Sequence, residues 1–296
     1  MNILDDLASH LESLTRRDGP QEADYDLLEA KVRLWHAADH VQGKQFSSAI
    51  RASLGEALST STLQGLALRK PNGYAGCFEI IDRIYTEYRS PNPALSAWDD
   101  YFQSKEPARA VRNRKTYFVN WLADRVRDRG RQSLLNLASG PGRDLAEGMA
   151  MLGGNRCDVV CIDQDERAIS CANTLCKPWL DSIQFERANA LRYRPKRQFD
   201  LVWSAGLFDY LPDRLFVRLL SRMKSWAKSG GEVVVGNFSP INPSRPYMEL
   251  VMDWVLIHRT PEDLIRLATD AGFESSAVRV GSEPLGVNLF LHASMP

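Results

Sequence analysis

Two glycines and a distant aspartate mark the part of the sequence best suited to chemistry. Gly140 and Gly142 separate an apolar segment at residues 133–138 from a helical pattern at 142–152. Glycine lets a ligand approach the backbone closely, and the start of a helix offers N–H groups without intrahelical partners. Asp163 ends a second apolar segment, about 20 residues beyond the turn, the spacing that lets a carboxylate bind ribose hydroxyls. The pattern predicts a nucleoside-binding site.

The turn fits a dinucleotide less well than a single nucleoside. A third glycine would complete the dinucleotide pattern, but Leu145 occupies that position. A pyrophosphate group is therefore the weaker hypothesis for the ligand. Asp163 also has a simpler interpretation, because an aspartate before a helix often serves as its N-cap.

Composition and charge exclude several classes of protein. The chain has 296 residues, of which 44% are hydrophobic and 25% are charged, as in ordinary globular proteins. Lys+Arg and Asp+Glu number 37 each, so no overall positive charge attracts nucleic acid or an anionic membrane. The sequence shows neither a secretory leader pattern nor an apolar run long enough to span a bilayer. We expect a cytoplasmic protein whose partners are small molecules only; its oligomeric state is not indicated.

Cysteine and histidine residues do not indicate a metal site. The five cysteines lack the CxxC spacing of zinc sites and are typical of buried thiols in a reducing compartment. His36 and His40 lie one helical turn apart, but no third ligand is near them in the sequence. We therefore expect no metal.

The chain divides into a helical region followed by alternating strands and helices. Apolar residues recur at helical spacing up to about residue 129, with breaks at Gly19-Pro20, in the loop 68–76 and at Pro91 and Pro93. From Ser133 the pattern predicts a doubly wound, mostly parallel seven-stranded Rossmann-like sheet with an antiparallel finish. The predicted α/β architecture has an all-helical cap domain at residues 1–130 and a nucleoside-binding domain at residues 131–296.

These motifs together resemble one known fold. The turn 138–142, Asp163, the segment 188–190 and the strand 199–204 resemble the class I S-adenosylmethionine (SAM) dependent methyltransferase fold, from Ser133 to the end. The resemblance implies a set of SAM-binding residues: Ala138, Gly140 and Gly142 at the methionine part, Ser139 in the same turn, Asp163 at the ribose, Gln164, Asn189 and Ala190 beside the adenine, and Ser204 beneath the sulfonium. One residue departs from the family pattern, since many members carry an acidic residue where this chain has Asn136.

The N-terminal region narrows the resemblance. Segments 70–79 and 110–115 are similar to a subfamily with a helical cap and a Gly-Tyr-Ala-Gly loop. That subfamily includes SAM cyclases that make azetidine-2-carboxylate and proteins assigned to hydroxy-fatty-acid methyl ester synthesis. The resemblance implies that Tyr74 lies against the methionine end of SAM and that Arg114 pairs with its carboxylate. A turn role for Tyr74 and a surface position for Arg114 are the simpler interpretations.

Three candidate catalytic residues, Tyr74, Asp209 and Tyr210, are expected at the catalytic edge of the predicted crevice. Asp209 and Tyr210 come just after the predicted fourth strand, where either could hold or deprotonate an amine or a hydroxyl group. Asp209 has an alternative interpretation as the N-cap of the predicted helix 213–228. No metal participates in the predicted chemistry.

The sequence leaves three functions open. Intramolecular cyclisation of SAM to azetidine-2-carboxylate, with release of methylthioadenosine in secondary metabolism, is favoured because a helical cap could seal the site and no docking patch is evident. Methyl transfer to a small oxygen or nitrogen acceptor, giving S-adenosylhomocysteine, is the alternative. A SAM-binding regulatory protein is the third, against which the intact turn and Asp163 argue.

Overall fold

The computed structural model describes residues 3–42, 45–153 and 156–296. These residues form two compact units, and each is described by itself. The helical unit comprises Met1–Arg109 and Asn242–Val255, and the sheet unit comprises Ala110–Ile241 and Leu256–Pro296. The division differs in two places from the predicted domain boundary after residue 130, because helix 106–129 belongs largely to the sheet unit and segment 242–255 to the helical unit.

The regular elements follow one another as helices first and then as alternating strands and helices. In chain order they are α1 (Ile3–Arg16), α2 (Tyr25–Gln42), α3 (Gln45–Leu54), α4 (Leu63–Arg69), α5 (Phe78–Tyr85), α6 (Pro93–Ser104), α7 (Glu106–Arg129), β1 (Gln132–Leu137), α8 (Arg143–Leu152), β2 (Cys157–Asp163), α9 (Glu166–Leu175), β3 (Ile183–Arg187), β4 (Phe199–Ser204), α10 (Asp213–Trp226), β5 (Ala227–Phe238), α11 (Arg245–Met252), α12 (Pro261–Asp270), β6 (Val278–Ser282) and β7 (Asn288–Ser294).

Helix α6 was not predicted, because Pro93 reads as a break in a helical pattern. In the structure Pro93 stands in the first turn of α6, and the side chain of Asn92 caps it by accepting the N–H of Ala94 at 3.1 Å. Proline is well tolerated there because the N–H it lacks would have no intrahelical acceptor. The interpretation of Pro93 as only an end of helical structure was therefore wrong.

Helix α11 belongs to the helical unit because its side chains pack among the N-terminal helices. Tyr247 is almost fully buried, donates its hydroxyl to Gln64 and makes an edge-to-face contact with Tyr101 at a centroid distance of 5.3 Å. Arg51 also donates to the carbonyl of Val251 at 3.2 Å. These contacts explain why a segment far along the chain completes the helical core.

The sheet has the strand order β3-β2-β1-β4-β5-β7-β6 in the described part of the chain. Strands β1 to β5 pair in parallel, whereas β7 runs antiparallel to both β5 and β6. The order reverses between β1 and β4, and ligands of such sheets bind outside the carboxyl ends of the strands at this point. The predicted doubly wound sheet with an antiparallel finish is confirmed.

The two faces of the sheet carry separate apolar clusters. Leu135 and Leu137 of β1 face the cluster that includes residues of α10 and α12. Leu134 belongs to the other cluster, with Phe118 and Leu122 of α7 and with residues of α8. Because α7 buries these side chains against the sheet, most of this helix falls within the sheet unit rather than within the predicted cap.

Candidate functional site

Glycine suits the two positions 140 and 142 after β1 for different physical reasons. Gly140 has φ of +60°, and a Cβ added there would meet no atom within 4 Å, so open space lies next to the turn. Gly142 has φ of +74°, and an added Cβ would lie 2.8 Å from the Cβ of Ala172 in α9. Ala138 also has a positive φ, at +51°, which is a strained conformation for a residue with a side chain. Gly142 thus permits close helix packing, whereas Gly140 leaves room for a ligand.

Asp163 braces this turn from the end of β2. Its Oδ2 accepts the N–H of Gly140 at 2.9 Å, and its Oδ1 accepts the N–H of Asp165 at 2.9 Å. Burial of the Asp163 side chain raises its pKa, and these two hydrogen bonds act in the opposite direction. The N-cap of α9 is Asp165, whose side chain accepts the N–H of Arg167 at 3.0 Å. Asp163 therefore does not cap α9, and its oxygens keep lone pairs for ribose hydroxyls.

The predicted adenine residues lie together beside Asp163. The amide of Asn189 donates to Oε1 of Gln164 at 3.4 Å, and both side chains are exposed. The N–H of Ala188 donates to the carbonyl of Asp163 at 2.9 Å, which joins the end of β3 to the end of β2, and Ala190 packs against the sheet cluster. The structure thus brings the ribose and adenine candidates to one edge.

Two further predicted residues, Ser139 and Ser204, are buried. Ser204 is fully buried and donates its hydroxyl to the carbonyl of Leu137 at 3.1 Å. This bond joins the ends of β1 and β4, so the Ser204 side chain supports the turn from below. Ser139 is 7% exposed, and its N–H donates to the carbonyl of Ile162 at 3.1 Å. Both serines help to fix the strand ends on which the turn depends.

Arg114 of α7 is a buried cation at the same edge. Arg114 is buried, and Nη1 donates to the carbonyl of Ala205, directly after β4, at 3.1 Å. A Cβ added at Gly206 would lie 3.6 Å from the same nitrogen, so the guanidinium contacts the backbone closely. The simpler interpretation of Arg114 as a surface charge is wrong. A buried cation at this position favours an anionic ligand group.

Asp209 lies in a short 3₁₀ turn after β4 and is also buried. Its Oδ1 accepts the N–H of Phe238 at 2.5 Å, and its carbonyl accepts the N–H of Ile257 at 2.7 Å. Burial raises the pKa of Asp209 to about 6, although the charge of Arg114 opposes the shift. Pro212 is the N-cap of α10, so the capping interpretation of Asp209 was wrong. A carboxyl group with this pKa can accept a proton near neutral pH.

The other two predicted catalytic residues differ in their surroundings. Tyr210 follows Asp209 in the same turn and exposes 37% of its surface. Tyr74 lies in the loop between α4 and α5 of the helical unit and is partly buried. The role of Tyr74 at the methionine end of SAM stays a prediction.

Sequence reasoning missed Asp144, in the first turn of α8. Burial raises the pKa of Asp144, and the N–H of Leu145 and the charge of Arg114 act in the opposite direction. An acidic residue in the first turn of the helix after a glycine turn is a signal that the sequence does contain.

Comparisons with known proteins agree with this geometry. Residues 134–231 match the family model described as a methyltransferase domain, a stretch that includes the turn, Asp163, Asn189 and Asp209. No curated protein is similar enough in sequence to match the chain.

Solved structures share the fold over most of the chain. A protein described as a possible exported protein from Bordetella parapertussis is 19% identical, with a TM-score of 0.67 over 93% of this chain and 96% of the other. Magnesium protoporphyrin IX methyltransferase from Synechocystis, solved with S-adenosylhomocysteine, is 14% identical, with a TM-score of 0.55 over 79% of this chain and 100% of the other. At these identities the similarity establishes the fold.

The predicted methyltransferase fold is confirmed, and the match of residues 134–231 to a methyltransferase domain agrees with the predicted SAM-dependent enzyme. Among the described residues, no group of three or more histidine, cysteine, aspartate or glutamate side chains could hold a metal ion. No helix in residues 3–42, 45–153 and 156–296 is long and apolar enough to cross a bilayer. The narrower resemblance to azetidine-2-carboxylate synthases stays a prediction.

Proposed function

We propose that this protein transfers the methyl group of SAM to an oxygen or nitrogen atom of a small-molecule acceptor and releases S-adenosylhomocysteine. The observation that carries the proposal is the position of Asp209, a buried carboxyl group with a pKa of about 6 that follows β4 at the edge where Gly140 and Asp163 form a nucleoside cradle. Methyl transfer to a hydroxyl or an ammonium group requires loss of a proton, which Asp209 can accept.

The residues at this edge fit SAM part by part. Asp163 offers carboxylate lone pairs for the ribose, and the open space next to Gly140 gives the ligand access to the backbone. Gln164 and Asn189 provide exposed amides beside the adenine position. Arg114 provides a buried cation for the methionine carboxylate. Each part of SAM therefore has a chemically matched partner in the sheet unit.

The protein contributes binding, orientation and a proton acceptor. Bound SAM supplies a methyl group that its sulfonium activates towards a nucleophile. Asp209 stays in place because the N–H of Phe238 and the N–H of Ile257 hold its carboxylate and its carbonyl. A fixed base beside a fixed cofactor lowers the entropic barrier to the reaction.

Methyl transfer is preferred to cyclisation for two reasons. The matched family model is a methyltransferase domain, and the magnesium protoporphyrin IX enzyme that shares the fold methylates a small molecule. Cyclisation also needs a neutral SAM amine and a site without an acceptor. The subfamily resemblance of segments 70–79 and 110–115 supports cyclisation as the second candidate.

One assay distinguishes these reactions. Pure protein is incubated with SAM alone and with SAM plus hydroxy-fatty acids, other carboxylic acids or amines, and the products are identified by mass spectrometry. We expect S-adenosylhomocysteine only when an acceptor is present. Methylthioadenosine and azetidine-2-carboxylate without an acceptor would establish cyclisation instead. An Asp163→Ala variant, expected to lose SAM binding, identifies product that comes from a contaminating enzyme.

A further inference from the structure

Helix α2 carries large apolar side chains on two opposite faces. Leu28, Val32 and Trp35 are each 2% exposed and form part of the core of the helical unit. Leu27 and Leu34 point the other way and are 52% and 68% exposed. In the described part of the chain, no other large apolar side chain is as exposed as Leu34. Because the buried face already holds α2 in its unit, the two exposed leucines are available for another contact.

The exposed apolar residues of α2 follow a seven-residue repeat. Leu27 and Leu34 are seven positions apart, and so are the exposed alanines Ala23, Ala30 and Ala37, which stand three or four positions from the leucines. Alternating steps of three and four are the spacing by which one helix packs along another in a coiled coil. Alanine between the leucines lets two helix axes approach closely. These five residues, called here the α2 stripe, therefore have the pattern of a helix-packing surface.

Two opposite charges lie along one side of the α2 stripe. Asp26 and Arg33 are exposed, and each stands one position before a leucine of the stripe. If two copies of α2 lie antiparallel about a two-fold axis, with Leu27 against the partner's Ala30, then Asp26 lies against the partner's Arg33. Symmetry forms this pair twice. The surface is therefore complementary to itself in charge as well as in shape.

The same charges select one register of the two helices. Shifting the antiparallel pair by seven residues would again set leucine against alanine, with Leu34 against the partner's Ala30. That register would bring Arg33 against the partner's Arg33, and like charges so placed repel. Only the first register combines leucine–alanine contacts with opposite charges.

We propose that the protein forms a homodimer in which the α2 stripes of two copies pack antiparallel, with Leu27 against the partner's Ala30. Burial of the exposed leucines and two Asp26–Arg33 ion pairs favour the association. The contact is a single pair of helices, at the low end of interface sizes, so we expect a dissociation constant on the order of 1 to 100 μM.

Sedimentation velocity at low salt and several protein concentrations tests the dimer. Arg33→Asp sets two carboxylates against each other at both symmetric positions and should raise the dissociation constant about tenfold or more. The double variant Asp26→Arg with Arg33→Asp restores opposite charges and should restore the dimer. Arg218→Asp is the matched control, because Arg218 is an exposed arginine of α10, and it should dimerise as the unaltered protein does.

A mixture of two single variants tests the antiparallel register. Asp26→Arg and Arg33→Asp each bring like charges together in their own dimers, whereas an antiparallel heterodimer of the two has opposite charges at both positions. The mixture should therefore dimerise where neither variant does alone. In a parallel pair Arg33 would lie beside the partner's Ala38, so a dimer that Arg33→Asp leaves intact would overturn the inference.

Leu34→Glu provides a test of the apolar contact. The substitution should abolish dimerisation, since it removes an apolar side chain from each copy, and should leave the melting temperature of the dilute monomer unchanged because Leu34 is exposed there. A dimer that survives Leu34→Glu uses another surface and would overturn the inference. So would an unaltered protein that stays monomeric up to about 100 μM. Neither result bears on the use of SAM, so the proposed function would stand.

Discussion

Two buried carboxyl groups of the sheet unit, Glu232 and Asp209, have opposite pKa shifts. Burial alone would raise the pKa of Glu232, but hydrogen-bonding partners outweigh it and lower the pKa to about 2. These partners are His292 at 2.8 Å, Arg125 at 2.7 Å and Trp121 at 3.0 Å. Burial raises the pKa of Asp209 to about 6. The same chemical group is therefore stabilised as an anion in one place and destabilised in the other.

The positions of the two groups explain the difference. Glu232 pairs with Leu201 near the start of β4, at the end of the parallel strands away from the glycine turn. Asp209 follows the carboxyl end of β4, and its carboxylate accepts the backbone N–H of Phe238. At the structural end of the sheet the charge is matched by the protein. At the carboxyl ends of the parallel strands, Asp209 has a raised pKa, so its ionisation at neutral pH costs stability.

The largest effect on stability is expected for Glu232→Gln. The variant removes the anion that Arg125 and His292 contact, so it should lower the free energy of unfolding by roughly 3 kcal/mol. Urea denaturation measures the change. Glu274→Gln, in an exposed loop, is the control and should change stability by less than about 0.5 kcal/mol. Equal stability of the two variants would contradict the structural role of Glu232.

The contribution of Glu232 should also depend on pH. Its pKa is about 2 in the folded protein against 4.5 as the ordinary value, so the folded chain keeps the anion while the unfolded chain takes up a proton. The stabilisation, about 3 kcal/mol at neutral pH, is present above pH 4.5 and is lost as the pH falls towards 2. The difference in unfolding free energy between the unaltered protein and Glu232→Gln should shrink over this range. A difference independent of pH would show that another interaction is responsible.

Asp209→Asn should lower activity without lowering stability, whereas Glu232→Gln should lower stability. The amide oxygen can still accept the N–H of Phe238, but the side chain can no longer accept a proton from a substrate. We expect kcat to fall about a hundredfold or more. The pH profile of kcat/KM should also lose its decline below about pH 6.

The stability of Asp209→Asn provides the control. Because the Asp209 pKa is raised from 3.8 to about 6, the folded chain binds an extra proton between these values, and ionisation at higher pH costs stability. At pH 7.5 the variant should therefore unfold at the same urea concentration as the unaltered protein or at a higher one. Lower stability together with lower activity would indicate that Asp209 is merely structural.

Local sequence patterns predict the glycine turn after β1 and the position of Asp163 at the end of β2. The turn at Gly140 and the brace at Asp163 depend on strand, turn and helix signals within a short stretch, so both could be recognised from the sequence. The same local patterns misinterpreted Pro93 as only the end of a helix, because a proline that interrupts one helical pattern can also begin the next helix, here α6. Local signals thus identify the elements better than they identify the element boundaries.

Long-range contacts account for what the sequence did not indicate. Arg114 is buried because α7 packs against β1 and β4, which follow it in the chain. Glu232 and His292 are 60 residues apart and meet only through the antiparallel pairing of β5 with β7. Burial and charge pairing of this kind depend on the tertiary fold and have no local signature.

The smallest expected effect is the difference in stability between alanine variants of the two glycines in the turn after β1. Alanine at Gly140 or Gly142 must adopt a positive φ, which costs about 1 kcal/mol in either position. Alanine at Gly142 would also collide with Ala172, whereas no atom lies near a Cβ at Gly140. We expect Gly142→Ala to be the less stable variant by roughly 1 kcal/mol.

Ligand binding should show the reverse order. Because Gly140 borders open space at the cradle, its Cβ would obstruct the ligand, and Gly140→Ala should weaken S-adenosylhomocysteine more than Gly142→Ala does. Urea denaturation and calorimetry of both variants provide the two measurements. If Gly140→Ala binds normally and Gly142→Ala does not, the open space next to Gly140 is not where the ligand lies, and the turn acts only through helix packing.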